Sequence, residues 1–143
     1  MENKLKEIKI NWFKLTSIYN SFSNRHLVNF FSLRVLNIIV LFENECTQKK
    51  IVEMTGACKQ SINNVIQDFI DKGYVALIKN PKDKRYKLIK LTRSGKKLYD
   101  STLGNIEKTE LKVLEEFTSE ELEAFIKFSK KYSGLLEKEA ERI

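Results

Sequence analysis

Residues 47–72 read TQKKIVEMTGACKQSINNVIQDFIDK, and the fold turns on how this stretch divides. Thr47 stands where a helix cap belongs, ahead of the apolar pair Ile51 and Val52, and Gly56 is the residue best able to end that short helix in the left-handed conformation. A second helix begins two residues later and spans about residues 58–72. Its apolar positions Ile62, Val65, Ile66, Phe69 and Ile70 share one face, while Gln60, Ser61, Asn63, Asn64, Gln67 and Asp71 share the other. A short helix, a glycine turn and an amphipathic second helix predict a helix-turn-helix.

On the carboxyl side, Lys72-Gly73 closes the second helix. Residues 74–78 and 86–91 are both rich in strand-forming side chains, and Lys79-Asn80-Pro81-Lys82-Asp83-Lys84-Arg85 lies between them. This predicts a hairpin with a long basic tip, in which Pro81 costs no ladder hydrogen bond. Thr92 caps a long helical pattern that continues to about residue 117, with Leu98, Leu103, Ile106, Val113 and Leu114 as its buried positions and Gly104 as a weak point. Thr118 and Glu121 fit a capping box, opening a last helix with Leu122, Phe125, Ile126, Ser129, Tyr132 and Leu136 on one side.

On the amino side, Leu5, Ile8, Trp12, Leu15, Tyr19 and Phe22 recur at alternating spacings of three and four, a heptad-like seam over residues 5–22. Ile10, Phe13 and Ile18 widen that seam, so the helix has more than one apolar neighbour to find. Residues 20–25 read as a polar break. A helix then spans residues 32–42, with Leu33, Leu36, Ile39 and Val40 inward.

The net charge of +7 is unevenly placed. Residues 79–97 hold nine Lys or Arg and one acid, Asp83, giving +8; the remaining 17 basic and 18 acidic residues give −1. Concentrated positive charge of this kind suits an anionic partner, nucleic acid before a membrane surface. The amino terminus has no apolar signal core, and the most apolar run, residues 30–42, is shorter than the ~20 residues that span a bilayer. A soluble cytoplasmic protein with reduced thiols is therefore expected, with no membrane role. Two cysteines twelve positions apart and a single histidine, His26, suggest neither a zinc site nor a disulfide framework, and no cofactor is expected. No nucleophile–base pair and no phosphate-cradling glycine loop appears, which argues against an enzyme.

Asn, Gln and Ser both donate and accept hydrogen bonds, which is what base edges in the major groove demand. Gln60, Asn64 and Gln67 form one stripe, flanked by Ser61 and Asn63, with Lys59 at its start; the amide content predicts an A·T-rich site. Amides attract phosphate weakly, and Lys79, Lys82, Lys84 and Arg85 of the hairpin tip supply that attraction. Arg85 is the candidate for the minor groove, with Asp83 orienting it through a charge-assisted hydrogen bond. Thr47 and Gln48, at a helix amino end, are candidate phosphate holders. One helix and one hairpin bury only about 600–1,000 Å² on DNA, so a two-fold assembly is expected, held by Leu5, Ile8, Trp12, Leu15 and Tyr19 and by Leu122, Phe125 and Tyr132. Residues 100–143 carry 7 basic and 11 acidic side chains, as suits helices held away from DNA.

The run from Ile51 through Leu91-Thr92-Arg93-Ser94-Gly95 resembles the core of the MarR (multiple antibiotic resistance regulator) family. The resemblance rests on Lys72-Gly73-Tyr74-Val75, on Asn80-Pro81-Lys82-Asp83-Lys84-Arg85 and on Leu91-Thr92-x-x-Gly95. It implies a mainly α protein with a small β-hairpin wing: one domain over residues 1–143, a winged helix-turn-helix at 32–92 and dimerisation helices at 1–25 and 100–143. It further implies a bacterial transcription regulator, a repressor, binding a pseudo-palindromic duplex as a homodimer and released by a small aromatic ligand or by oxidation. A winged helix serving replication or protein contact is the alternative. Trp12, Phe30 and Phe31 either line a ligand cleft or pack in the core. Many relatives place Ser or Thr where this chain has Cys58, so Cys58 is read either as a redox-sensing thiolate favoured by the helix dipole or as a small, partly buried bystander.

Overall fold

Leu36, Ile39, Ile51, Ile62 and Ile89 are almost wholly shut off from solvent, and together they mark where the core lies. In the computed structural model, which describes residues 1–26 and 28–143, they come from four different elements. The order is α1 (Glu2–Arg25), α2 (Phe30–Leu41), α3 (Gln48–Thr55), α4 (Lys59–Asp71), β1 (Val75–Lys79), β2 (Lys87–Leu91), α5 (Arg93–Ser101), α6 (Leu103–Leu114) and α7 (Ser119–Ala140). Two compact units result, residues 1–104 and residues 105–143. Among the described residues no helix is long and apolar enough to cross a membrane.

The first unit is built around α2. Leu33, Val35, Leu36, Ile38 and Ile39 are all buried, so this helix is apolar on most sides and is surrounded rather than laid on a surface. It begins two residues earlier than the sequence pattern predicts because Asn29 caps it, its Oδ1 accepting the Phe31 and Ser32 N–H groups at 2.8 and 3.3 Å. Against α2 lie Ile51 of α3, Ile62, Ile66 and Phe69 of α4, and Ile89 of β2. Full burial of such side chains contributes about 1.5–3 kcal/mol each.

The two strands pair antiparallel with Val75 opposite Leu91 and Lys79 opposite Lys87, leaving residues 80–86 as the tip. The Ile89 N–H donates to the Cys46 carbonyl at 2.8 Å, tying the loop before α3 to the outer strand. Cys46 itself is buried, and burial pushes its thiol up to about 12.

Three sequence expectations need correction. Residues 20–25 are helical and belong to α1; Ser23 is buried there, its hydroxyl donating to the Val28 carbonyl at 2.6 Å. A polar residue thus ends up inside because a local carbonyl satisfies it. The long helix after Thr92 is two helices, broken at Thr102 rather than weakened at Gly104. Thr102 has φ −118° and ψ −94°, outside the helical region, and its buried hydroxyl donates to the Leu98 carbonyl at 2.6 Å. Val113 and Leu114, expected inside, are 52% and 44% exposed.

In the second unit the Thr118–Glu121 capping box forms as expected. The Glu121 N–H donates to the Thr118 hydroxyl at 3.2 Å, and the Thr118 N–H to the Glu121 carboxylate at 2.8 Å. No residue of α7 is buried; Phe125 is 66% exposed, and Ile126, Phe128, Leu135 and Leu136 are exposed beside it. On α1, Trp12, Phe13, Leu15 and Ile18 are exposed as well.

Candidate nucleic-acid interface

The turn between α3 and α4 is short because Gly56, at φ +66°, turns the chain out of α3 while its N–H still donates to the Val52 carbonyl. Thr47 caps the other end, its hydroxyl accepting the Lys50 N–H at 3.1 Å. The Gln48 side chain donates to the Lys59 carbonyl at 3.4 Å, so α3 grips the start of α4 directly. Both sequence-selected residues at the head of α3 therefore hold the motif together.

On α4 the buried Ile62, Ile66 and Phe69 face the core, which turns the opposite stripe outward. Gln60, Ser61, Asn63, Asn64, Gln67 and Asp71 are all exposed, together with Lys59. Two side-chain bonds run along that stripe: Gln60 Nε2 donates to Asn64 Oδ1, and Gln67 Nε2 to Asp71 Oδ1, each at 2.8 Å. Next to the stripe, a cleft of about 640 Å³ separates α4 from the wing, with Lys59, Asn63 and Gln67 on one wall and Leu77, Arg85 and Tyr86 on the other.

The wing tip is ordered by its own side chains. Asn80 Oδ1 accepts the Lys82 and Asp83 N–H groups at 3.0 and 3.3 Å. Asp83 accepts two bonds from the Arg85 guanidinium and one from the Arg85 N–H, and these hold its carboxyl below the usual carboxylate range. The Arg85 guanidinium also lies over the Tyr86 ring at 5.6 Å. Arg85 remains 80% exposed while its direction is set from two sides. Lys79 and Lys84 are exposed, whereas Lys82 pairs with Glu45 at 3.1 Å. That partner, in the loop before α3, was invisible to sequence reasoning because 37 residues separate the two.

Residues 29–85 match the family model described as "MarR family". Over this stretch the chain is similar to the MarR family. Over 97 residues the chain is 28% identical to an uncharacterized HTH-type transcriptional regulator, YcgE, of Bacillus subtilis; the match covers 68% of this chain and 63% of that protein. The chain thus spans less than two thirds of that relative's length. Among solved structures, NMB1585, a MarR family regulator from Neisseria meningitidis, is 18% identical and superposes with a TM-score of 0.76 over 94% of each chain. The Staphylococcus aureus MepR–DNA complex is 17% identical, with a TM-score of 0.68 over 90% of this chain and 93% of that one. The fold expected from the sequence, helical with a two-stranded wing, is the fold these regulators share.

The Leu-Thr-x-x-Gly junction of this chain has a structural cause. The Thr92 hydroxyl donates to the Gly73 carbonyl at 2.6 Å and accepts the Gly95 N–H at 3.0 Å, so one side chain caps α5 and fastens it to the end of α4. A Cβ on Gly95 would run into the Tyr74 carbonyl oxygen, so only glycine allows that approach.

Cys58 is not partly buried, as one of its two readings held; it is exposed. It occupies the cap position of α4 without making a side-chain cap bond, and its sulfur lies 3.1 Å from the Ser61 hydroxyl. That hydrogen bond, ahead of any other influence, lowers the thiol from its ordinary value. Phe31 packs half-buried against the core, while Trp12 stays 49% exposed on α1.

Proposed function

We propose that this protein is a homodimeric transcription repressor that reads a pseudo-palindromic, A·T-rich duplex. In this reading α4 enters the major groove, with Gln60, Ser61, Asn63, Asn64 and Gln67 toward base edges and Lys59 toward phosphate. Across the cleft the wing meets the neighbouring minor groove, Arg85 entering it and Lys79, Lys82 and Lys84 adding phosphate attraction; Lys82 must exchange Glu45 for a phosphate to do so. Thr47 and Gln48 lie at the edge of the same face. The observation that carries the reading is the stripe of exposed amides on α4, facing away from the core, with an oriented arginine beside it on the wing.

Dimerisation draws support from the apolar side chains that single helices leave in solvent, Trp12 and Leu15 on α1 and Phe125 and Leu136 on α7. A second copy covers them, with Leu5, Ile8, Tyr19, Leu122 and Tyr132 in the same two faces. Release then comes by one of two routes, a small aromatic effector taken up among Trp12, Phe30 and Phe31 or oxidation of the exposed Cys58. Asn64→Ala tests the base-reading role. It should cost about 1–3 kcal/mol on the preferred duplex and nothing comparable on random DNA. Equal losses on both would make Asn64 a positioning residue only.

A further inference from the structure

The two side-chain bonds on the outer stripe of α4 are not equivalent. In the Gln60–Asn64 pair each partner is an amide, and either can supply the N–H, so the pair can reverse its polarity without losing the bond. In the Gln67–Asp71 pair one partner is a carboxylate, which only accepts. The Gln67 nitrogen is therefore turned toward Asp71 and its oxygen away, and a flipped amide would set oxygen against oxygen.

Asp71 is poorly placed for any structural task. It is the last residue of α4, where the helix dipole disfavours a negative charge, and the ladder of that end is closed by Lys72 and Gly73 instead. The nearby cation Lys72 is engaged by Asp68 at 2.8 Å, and among the described residues no cation lies within ion-pair distance of Asp71. An acid on a face turned to DNA also repels phosphate. Among the described residues its one side-chain hydrogen bond is the one from the Gln67 amide.

We propose that Asp71 is a positioning residue for sequence reading, fixing the Gln67 amide so that its oxygen and remaining N–H select adenine over guanine. This rests on the reading of α4 given above. Adenine offers one donor and one acceptor in the major groove, which matches what the bound amide still has; guanine offers two acceptors and calls for two donors, one of which Asp71 has taken. The Gln60–Asn64 pair, free to reverse, adapts to either base.

The test is selection from a pool of duplexes with a randomised core, by the full chain and by Asp71→Ala, Asp71→Asn and Gln67→Ala, with bound and unbound fractions sequenced. The unaltered chain should prefer adenine to guanine about tenfold at one position of each half-site. Asp71→Ala should cut that preference below about threefold there and leave the other positions unchanged. Asp71→Asn, which leaves an amide pair as reversible as Gln60–Asn64, should weaken it as well, and Gln67→Ala should lose preference at the same position. Should Asp71→Ala keep every preference, or should both Asp71 variants simply tighten binding to all sequences alike, Asp71 is only a charge and the proposal fails. An unaltered chain without preference at any position overturns the reading of α4 itself, and this proposal with it.

Discussion

Arg85 and Asp83 face each other at the wing tip through two nearly parallel hydrogen bonds, Nε to Oδ1 at 3.0 Å and Nη2 to Oδ2 at 2.9 Å. A fork of this kind fixes the plane of the guanidinium as well as its position. Because Arg85 is 80% exposed, the pair does little for stability; its use is to present a cation in a set direction. Arg85→Ala should weaken binding to the preferred duplex and reduce the slope of log affinity against log salt by about one, with the melting temperature unchanged. Titrating DNA affinity at several salt concentrations measures both. An unaltered slope would remove Arg85 from the interface.

The same pair sets a pH dependence. Arg85 holds the folded-state pKa of Asp83 below its ordinary value of 3.8, so the pairing is complete above that value and is lost only as pH falls through the lower folded-state value. The Arg85 Nε–H resonance, followed through an acid titration, should therefore shift below pH 3.8. A midpoint at or above the ordinary value would mean that the fork does not persist in solution.

Gly95 lies against the Tyr74 carbonyl, and Gly95→Ala forces the start of α5 away from the end of α4. Overpacking against backbone costs about 1–3 kcal/mol, and more where nothing can yield. Thr92→Val, which removes the hydroxyl's bonds to the Gly73 and Tyr74 carbonyls and the Gly95 N–H, should cost about 0.5–2 kcal/mol by the cap alone. Chemical denaturation of the two variants checks the order. If Gly95→Ala proves neutral, the close approach is not maintained.

The sequence was most legible where local chemistry decides the outcome. Gly56, Thr92 and the Thr118–Glu121 box each act within a few residues, and each does what its neighbours in the chain predict. The oriented Arg85 was legible for the same reason, its partner being two positions away. Misreadings came where a distant or buried partner decided. Polar residues 20–25 looked like a break until the Val28 carbonyl took the Ser23 hydroxyl. Thr102 breaks a helix by satisfying its own hydroxyl inward, which no apolar periodicity registers. Val113 and Leu114 fit an apolar periodicity, which finds an apolar face but does not say whether anything covers it. Within the site, the amides of α4 were visible from spacing, whereas the Lys82–Glu45 pair was hidden by its sequence separation.

The two thiols should separate cleanly. Cys58 is exposed and its thiol is lowered by Ser61, so its thiolate population persists to lower pH than that of an ordinary cysteine. Cys46 is buried, with its thiol pushed up to about 12. A thiol reagent at neutral pH should label Cys58 alone, and Ser61→Ala should slow that labelling by returning the thiol toward its ordinary value. Cys46 should react only after denaturant is added. Equal labelling of both in the native protein would contradict the burial of Cys46 beneath β2.

The most direct test of the account is the stoichiometry and symmetry of the complex with DNA. Duplexes selected from a random pool should show A·T-rich half-sites related by a two-fold axis, with centres about 10 base pairs apart, and sedimentation should find two chains on each duplex. A single chain per duplex, or a selected pool with no symmetric half-sites, would contradict it.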